Sequence, residues 1–241
     1  MSLANGLPSM NRPVRHRSTR DRPAKAPLSV DGIIEAALAI LKSDGLEAVT
    51  MRRVAAALDT GPGSLYVYVS GREGLLEGML DRVIATVGLE APDPAHWRAQ
   101  LHSLLGRLHE ALVTHPGIAA VTLADPPTTE SVLLLAENML GILLAGGLHP
   151  QDAAWACDIF MLLAMAAARE DDVRHPLGRD DDGNRQGQAD EIGRTFAALP
   201  PDRFPLIAAH AAQMVAGDGE ERFRFAVDVV IDGLIASSAR R

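Results

Sequence analysis

Three residues, Asp59-Thr60-Gly61, separate two apolar runs that are each too short to stand alone as helices, and Pro62 follows at once. Proline suits the first turn of a helix because the N–H it lacks would have no partner there, so a new helix is expected over residues 62–69. On the other side Thr50 is placed as an N-cap, Val49 and Val54 form a hydrophobic staple, and Ala55, Ala56, Ala57 and Leu58 continue a helix of little more than two turns. Two short helices joined by so tight a turn have the dimensions of a helix-turn-helix. Neither can hide its apolar face without neighbours.

Those neighbours are legible on both flanks. Upstream, Ser29 is an N-cap, Val30, Ile33, Ile34, Ala37, Leu38 and Leu41 recur at helical spacing, and Gly45 is placed to end the helix. Downstream, Ser70 and Glu73 have the spacing of a capping box, and Leu75, Leu76, Met79, Leu80, Val83, Ile84 and Val87 give a longer fourth helix. Beyond Gly88 helices are expected over residues 94–114, briefly after Pro116, over 128–145 and 151–170, from about Asp190, from about Asp202, and over 219–239. A loop dense in Asp, Gly and Arg fills 171–188. No segment alternates as a half-buried strand would, so the fold is read as all-α. A three-helix N-terminal helix-turn-helix domain (28–88) is joined by a long helix to a helical C-terminal domain (89–241), behind a basic arm (1–27).

Composition narrows the function classes. With 241 residues, 47% apolar and 22% charged, the chain can bury a substantial core. The single cysteine, Cys157, leaves neither an intrachain disulfide nor a cysteine zinc site. Residues 1–27 contain no apolar run fit for a signal peptide, and the long apolar stretches at 131–147 and 153–168 are broken by Glu137, Asn138 and Asp158. A cytoplasmic protein with no membrane span is therefore expected. No nucleophile elbow, phosphate loop, HExxH or carboxylate pair is present, so no enzyme is expected. The net charge of −8 conceals a split: residues 1–88 hold 11 Lys or Arg against 9 Asp or Glu, the remainder 12 against 22. One end could meet phosphate, or the six basic residues Arg12, Arg15, Arg17, Arg20, Arg22 and Lys25 could merely solvate the arm.

At residues 50–76 the pattern resembles the DNA-binding domain of the tetracycline-repressor (TetR) family: Gly45-Leu46, Thr50, Arg52, Val54-Ala55, Leu58, then Gly63-Ser64-Leu65-Tyr66-Val67-Tyr68-Val69, and Arg72 before Leu75-Leu76. Asp59, Thr60 and Gly61 depart from the family's usual turn, although aspartate tolerates left-handed backbone. A looser similarity to the C-terminal domain of the tetracycline-repressor branch runs through His115-Pro116-Gly117 and from Arg222 to Leu234. The resemblance implies a ligand-responsive regulator, most often a repressor, that binds a pseudo-palindromic double-stranded DNA operator as a homodimer.

On this reading Pro62 and Gly63 are slim enough to approach a groove, Ser64 can donate or accept at its edge, and Tyr66 and Tyr68 can reach phosphate. Val67 offers only an apolar face, while Leu65 and Val69 are read as core. The family adds Tyr66 and Arg72 as backbone clamps and Arg52 as a phosphate or base contact, with Thr50 on the same surface. Two such heads imply half-site centres roughly 34–36 Å apart or a related spacing. Phe223, Ala226, Val227, Val230, Ile231, Leu234 and Ile235, widened by Phe225 and Val229, give the last helix more apolar surface than one side needs, as a dimer helix would.

The family also implies a small-molecule cavity in the C-terminal domain. Candidate lining residues are Trp97, His102, Leu105, His109, Asn138, Met161 and Met165, each equally readable as core or surface. His96, His102, His109 and His115 are spaced by six and seven, not by the four of a compact helical metal site, and no metal or cofactor is expected. The segment after Gly117 lacks the histidine that ligates tetracycline-bound magnesium in that repressor, so tetracycline is not the expected effector. A C-terminal domain that binds a protein partner instead is the alternative.

Overall fold

The computed structural model describes residues 27–123, 129–174 and 182–240, and every regular element among them is helical. Helix α1 (Val30–Asp44) starts where its cap requires, with Ser29 Oγ accepting the Gly32 N–H at 3.1 Å. Gly45, at φ +83°, ends it by donating its N–H to Leu41 O. A 3-10 turn (Leu46–Ala48) leads to α2 (Met51–Ala57), capped by Thr50 Oγ1 accepting the Arg53 N–H at 3.2 Å. Asp59 takes the left-handed conformation at φ 51°, and α3 (Pro62–Leu65) follows with proline in its first turn. The expected helix over 62–69 is thus a single turn. Tyr68 and Val69 continue it as hydrogen-bonded turns onto Leu65 O.

The capping box expected at Ser70 and Glu73 does not form. Gly71, at φ +93°, is the N-cap of α4 (Arg72–Ile84), and no side chain caps it. A Cβ built on Gly74 would lie 2.3 Å from Ser70 Oγ, so the serine is folded over the first turn rather than placed ahead of it. Helix α4 runs back along α1. Arg82 Nη1 donates to Glu35 at 2.7 Å and its Nη2 to Asp31, while Gly78 admits the Ile34 side chain. Ile33, Ala37, Leu41, Val54, Ala55, Leu65, Leu75 and Met79 are fully buried between these helices. At roughly 1.5–3 kcal/mol for each large side chain, this burial outweighs the weak intrinsic stability of such short helices.

The rest of the chain packs onto the far part of α4. Helix α5 (Trp97–Val113) lies against α6 (Glu130–Ala145) and α7 (Pro150–Arg174), with a 3-10 segment (Ile118–Leu123) touching α4 and α7. Helices α8 (Asp182–Ala197), α9 (Pro205–Ala209) and α10 (Ala211–Val215) pack on one another. The last helix, α11 (Gly219–Ser238), lies against α7 and opens with a capping box: Asp218 Oδ1 accepts the Glu221 N–H at 2.7 Å, and Glu221 accepts back from Asp218. Much of the loop expected at 171–188 is helix, with residues 175–181 outside the described residues. By length and composition Pro150–Glu170 could cross a bilayer. Here Ala153, Ala156, Phe160, Ala164 and Ala168 turn that helix into the core instead.

Gly146 ends α6 directly under the Trp97 indole, where an added Cβ would lie 2.4–2.8 Å from three ring atoms. A rigid ring cannot yield as an alkyl tip can. Gly146→Ala is expected to cost about 1–3 kcal/mol through overpacking, read as a lowered urea midpoint with an unchanged m-value.

Candidate nucleic-acid interface

Leu65 is fully buried and Val69 nearly so, and they anchor both ends of a short outward bend. Between them Tyr66, Val67 and Tyr68 are 60%, 81% and 40% exposed. Three consecutive large side chains therefore point away from the core because the anchors on either side have taken the inward positions. Pro62, Gly63 and Ser64 are exposed beside them. Neither Gly61 nor Gly63 has an atom within 4 Å of the place its Cβ would occupy. Internal packing gives no reason for glycine at either position.

The flanking groups are arranged less simply. Arg52 is exposed on α2, and its neighbour Arg53 pairs with Asp44 at 2.7 Å. The Thr50 hydroxyl already accepts the Arg53 N–H. Arg72, expected as a phosphate clamp, donates from Nε to Val49 O at 3.0 Å and from Nη2 to Leu46 O at 3.2 Å. It braces the start of α4 against the turn before α2, a function its sequence position did not reveal because those carbonyls lie 26 and 23 residues upstream.

The seven candidate effector contacts fall into separate environments. Leu105 and Met165 are buried in the core, with Met161 packed at its edge. Trp97 covers Gly146. Asn138 donates from Nδ2 to Glu90 O at 2.8 Å and buries its Oδ1 with no hydrogen-bond partner. His102 and His109 instead belong to a seam between α5 and α11. There His102 Nε2 meets Asp228 Oδ1 at 2.9 Å, the His109 ring stacks on Phe223 at 5.0 Å, and Arg98 pairs with Asp232. The other two histidines of the 96–115 stretch have local partners, His96 with Asp93 at 2.8 Å and His115 with Ala111 O at 2.8 Å. Burial pushes the Cys157 thiol up to about 11, which leaves it protonated at neutral pH.

Sequence reasoning missed the joints between the first four helices and the rest of the chain. Asp81 of α4 accepts the Ser131 N–H at the start of α6 at 2.9 Å. Gly117, at φ +91°, sits against Leu46, with its N–H held by Asp172 of α7 at 2.8 Å. A left-handed glycine in His115-Pro116-Gly117 was the one available signal, and it carried no hint of its partners.

The model of bacterial regulatory proteins of the tetR family matches residues 33–79, and that of the tetracyclin repressor-like C-terminal domain matches residues 91–237. The chain belongs to the TetR family. This TetR-family chain is 29% identical over 235 residues to the HTH-type transcriptional repressor DrrR1 of Streptomyces coeruleorubidus, covering 92% of this chain and 84% of that protein. Crystal structures of ActR from Streptomyces coelicolor share its fold. The apo form is 30% identical with a TM-score of 0.80, covering 90% of this chain and 99% of that one. The complex with actinorhodin is 31% identical with a TM-score of 0.79, covering 88% and 98%. The all-α architecture read from the sequence, a helix-turn-helix ahead of a helical C-terminal domain, is that of this TetR-family fold.

The position of Arg72 separates two effects usually measured together. Arg72→Ala is expected to lower unfolding stability by about 1 kcal/mol, the scale of partly solvated charged hydrogen bonds, in urea titrations without DNA. A purely DNA-facing arginine would leave that stability unchanged.

Proposed function

We propose that this TetR-family regulator represses transcription in the cytoplasm as a homodimer, with residues 61–68 entering the major groove and a small organic effector releasing the DNA. The observation that carries this reading is the outward row Tyr66, Val67 and Tyr68 between two buried anchors. Phenolic hydroxyls reach phosphate oxygens, Val67 meets a thymine methyl, and the glycines let the backbone close on the groove. Arg52 adds a phosphate or base contact, and Arg72 holds α4 in position beneath the tip.

Dimerisation is supported by two helices that pack on each other and still leave apolar surface outside. On α7 Trp155, Ile159 and Leu162 are 56%, 42% and 60% exposed at helical spacing, and on α11 Phe225 and Val229 are 71% and 54% exposed. Apolar side chains left exposed on two helices that pack on each other fit a four-helix contact with a second copy. Effector control is supported by ActR, whose structures include a complex with actinorhodin. An effector lodged among α5, α6 and α7 would act through the Asp81 joint on α4 and the Gly117–Leu46 joint beside α2, provided it binds the DNA-released arrangement more tightly. The ActR complexes with small molecules favour this over a protein partner.

A duplex selected by the protein from a random pool provides the test. Tyr66→Phe should weaken binding of that duplex about tenfold or more, the value of a charge-assisted hydrogen bond lost at each half-site, with stability unchanged. Trp155→Glu should give monomers in sedimentation velocity and abolish tight binding. Full affinity in Tyr66→Phe and Arg52→Ala together would show that another surface reads the DNA.

A further inference from the structure

The link between α4 and α5 is held more tightly than a surface connection requires. Residues 88–92 are exposed, and the backbone of such a segment is ordinarily satisfied by water. Here side chains from two helices take it over. Asn138 of α6 donates from Nδ2 to Glu90 O at 2.8 Å. Gln100 of α5 donates from Nε2 to Ala91 O at 2.8 Å and accepts the Asp93 N–H on Oε1 at 2.7 Å, so one amide side chain holds the backbone on both sides of Pro92. Arg107, about two turns further along α5, donates from Nη1 to Glu90 Oε1 at 2.8 Å and to Ser103 Oγ at 2.6 Å. Gly141 of α6 leaves room for Pro92, whose Cγ would lie 3.0 Å from an added Cβ. The link is a strap tied to both of two helices that pack on each other.

Two features give the strap a use beyond closing a loop. First, α6 holds the far part of α4 in two places, since Asp81 accepts the Ser131 N–H and Glu90 O accepts from Asn138, about two turns further along α6. Val87 is buried, and Glu90 follows it within a reach of about 10 Å. The end of α4 must therefore move when α6 slides or turns, and a shear of α5 against α6 pulls on the strap through both helices. Second, the network is not arranged for stability alone. Asn138 Oδ1 and Arg107 Nε are buried with no hydrogen-bond partner among the described residues, and such atoms are costly to keep. At its other end α4 is fixed to the helices ahead of it, by Arg72 to Leu46 O and Val49 O and by Arg82 to Asp31 and Glu35.

We propose that Gln100, Arg107 and Asn138 are positioning residues for DNA binding. Through the strap at residues 88–93 they fix where α4, and with it the tip at residues 61–68, stands relative to α5 and α6. This rests on the DNA-binding reading above, and none of the three residues touches DNA. A dimer gains from its second reading tip only when that tip is already held at the separation of the half-sites. The strap supplies the fixed separation, and a change in how α5 and α6 sit reaches α4 through it.

The test uses the full chain with Gln100→Ala and Asn138→Ala combined, and separately with Gly141→Ala, which removes no hydrogen bond but pushes Pro92 outward. Binding is followed by anisotropy at low salt, where weak complexes remain measurable, on the selected duplex, on the same duplex with base pairs inserted between its half-sites, and on a single half-site. Both variants should bind the selected duplex about tenfold or more weakly, because a loosely held second tip has a lower effective concentration at its half-site. Half-site affinity should stay unchanged, and the penalty for inserted base pairs should shrink, since a mobile tip reaches a displaced half-site. Equal losses on the full site and the half-site would mean that the tips themselves are damaged and would overturn the proposal. Unchanged affinity and an unchanged insertion penalty in both variants would overturn it too. A parent protein that binds the selected duplex no better than a scrambled one would overturn the DNA-binding reading, and this proposal with it.

Discussion

Burial of Leu65 and Val69 is the constraint on which the outward bend between them depends. A single helical turn cannot hold its own shape in water. These two side chains fix it by burying themselves in the core, and the residues between them are left facing outward. The exposure of Tyr66, Val67 and Tyr68 is therefore a consequence of packing rather than of polarity. The Arg72 brace adds to this by tying the first turn of α4 to the carbonyls of Leu46 and Val49, so that the bend is closed on both sides.

Helix α4 belongs to both halves of the molecule. Its adjacent residues Asp81 and Arg82 reach different parts of the chain, Arg82 to Asp31 and Glu35 of α1 and Asp81 to the Ser131 N–H at the start of α6. Gly117 makes a second joint by fitting its left-handed turn against Leu46 while Asp172 holds its amide. Any change in how α6 and α7 sit is felt at these joints, since close-packed side chains shift between discrete arrangements more readily than they stretch.

Local chemistry was read well where neighbours in sequence are neighbours in space. Ser29 and Thr50 cap their helices as expected, Asp59 takes the left-handed turn, and Pro62 opens α3, because each of these depends on bonds within four residues. The capping box at Ser70 failed for an equally local reason: Gly71 could adopt a positive φ that moved the helix start forward by one residue. The capping box of Asp218 and Glu221 was present in the sequence and passed over. The partners of the candidate effector residues were not legible in the sequence. His102 and His109 share a helical face, but periodicity cannot say that the face meets α11 rather than a cavity.

The sequence by itself determined the helical class, the short helix-turn-helix and its outward tip, since apolar period, caps and turn residues act over a few residues and leave little freedom. Tertiary structure decided what each polar group is used for. Arg72 became a brace, Arg82 and Asp81 became joints, and His102 became one side of a seam, because those partners lie 23 to 126 residues away and are brought together only when the apolar faces close on one another.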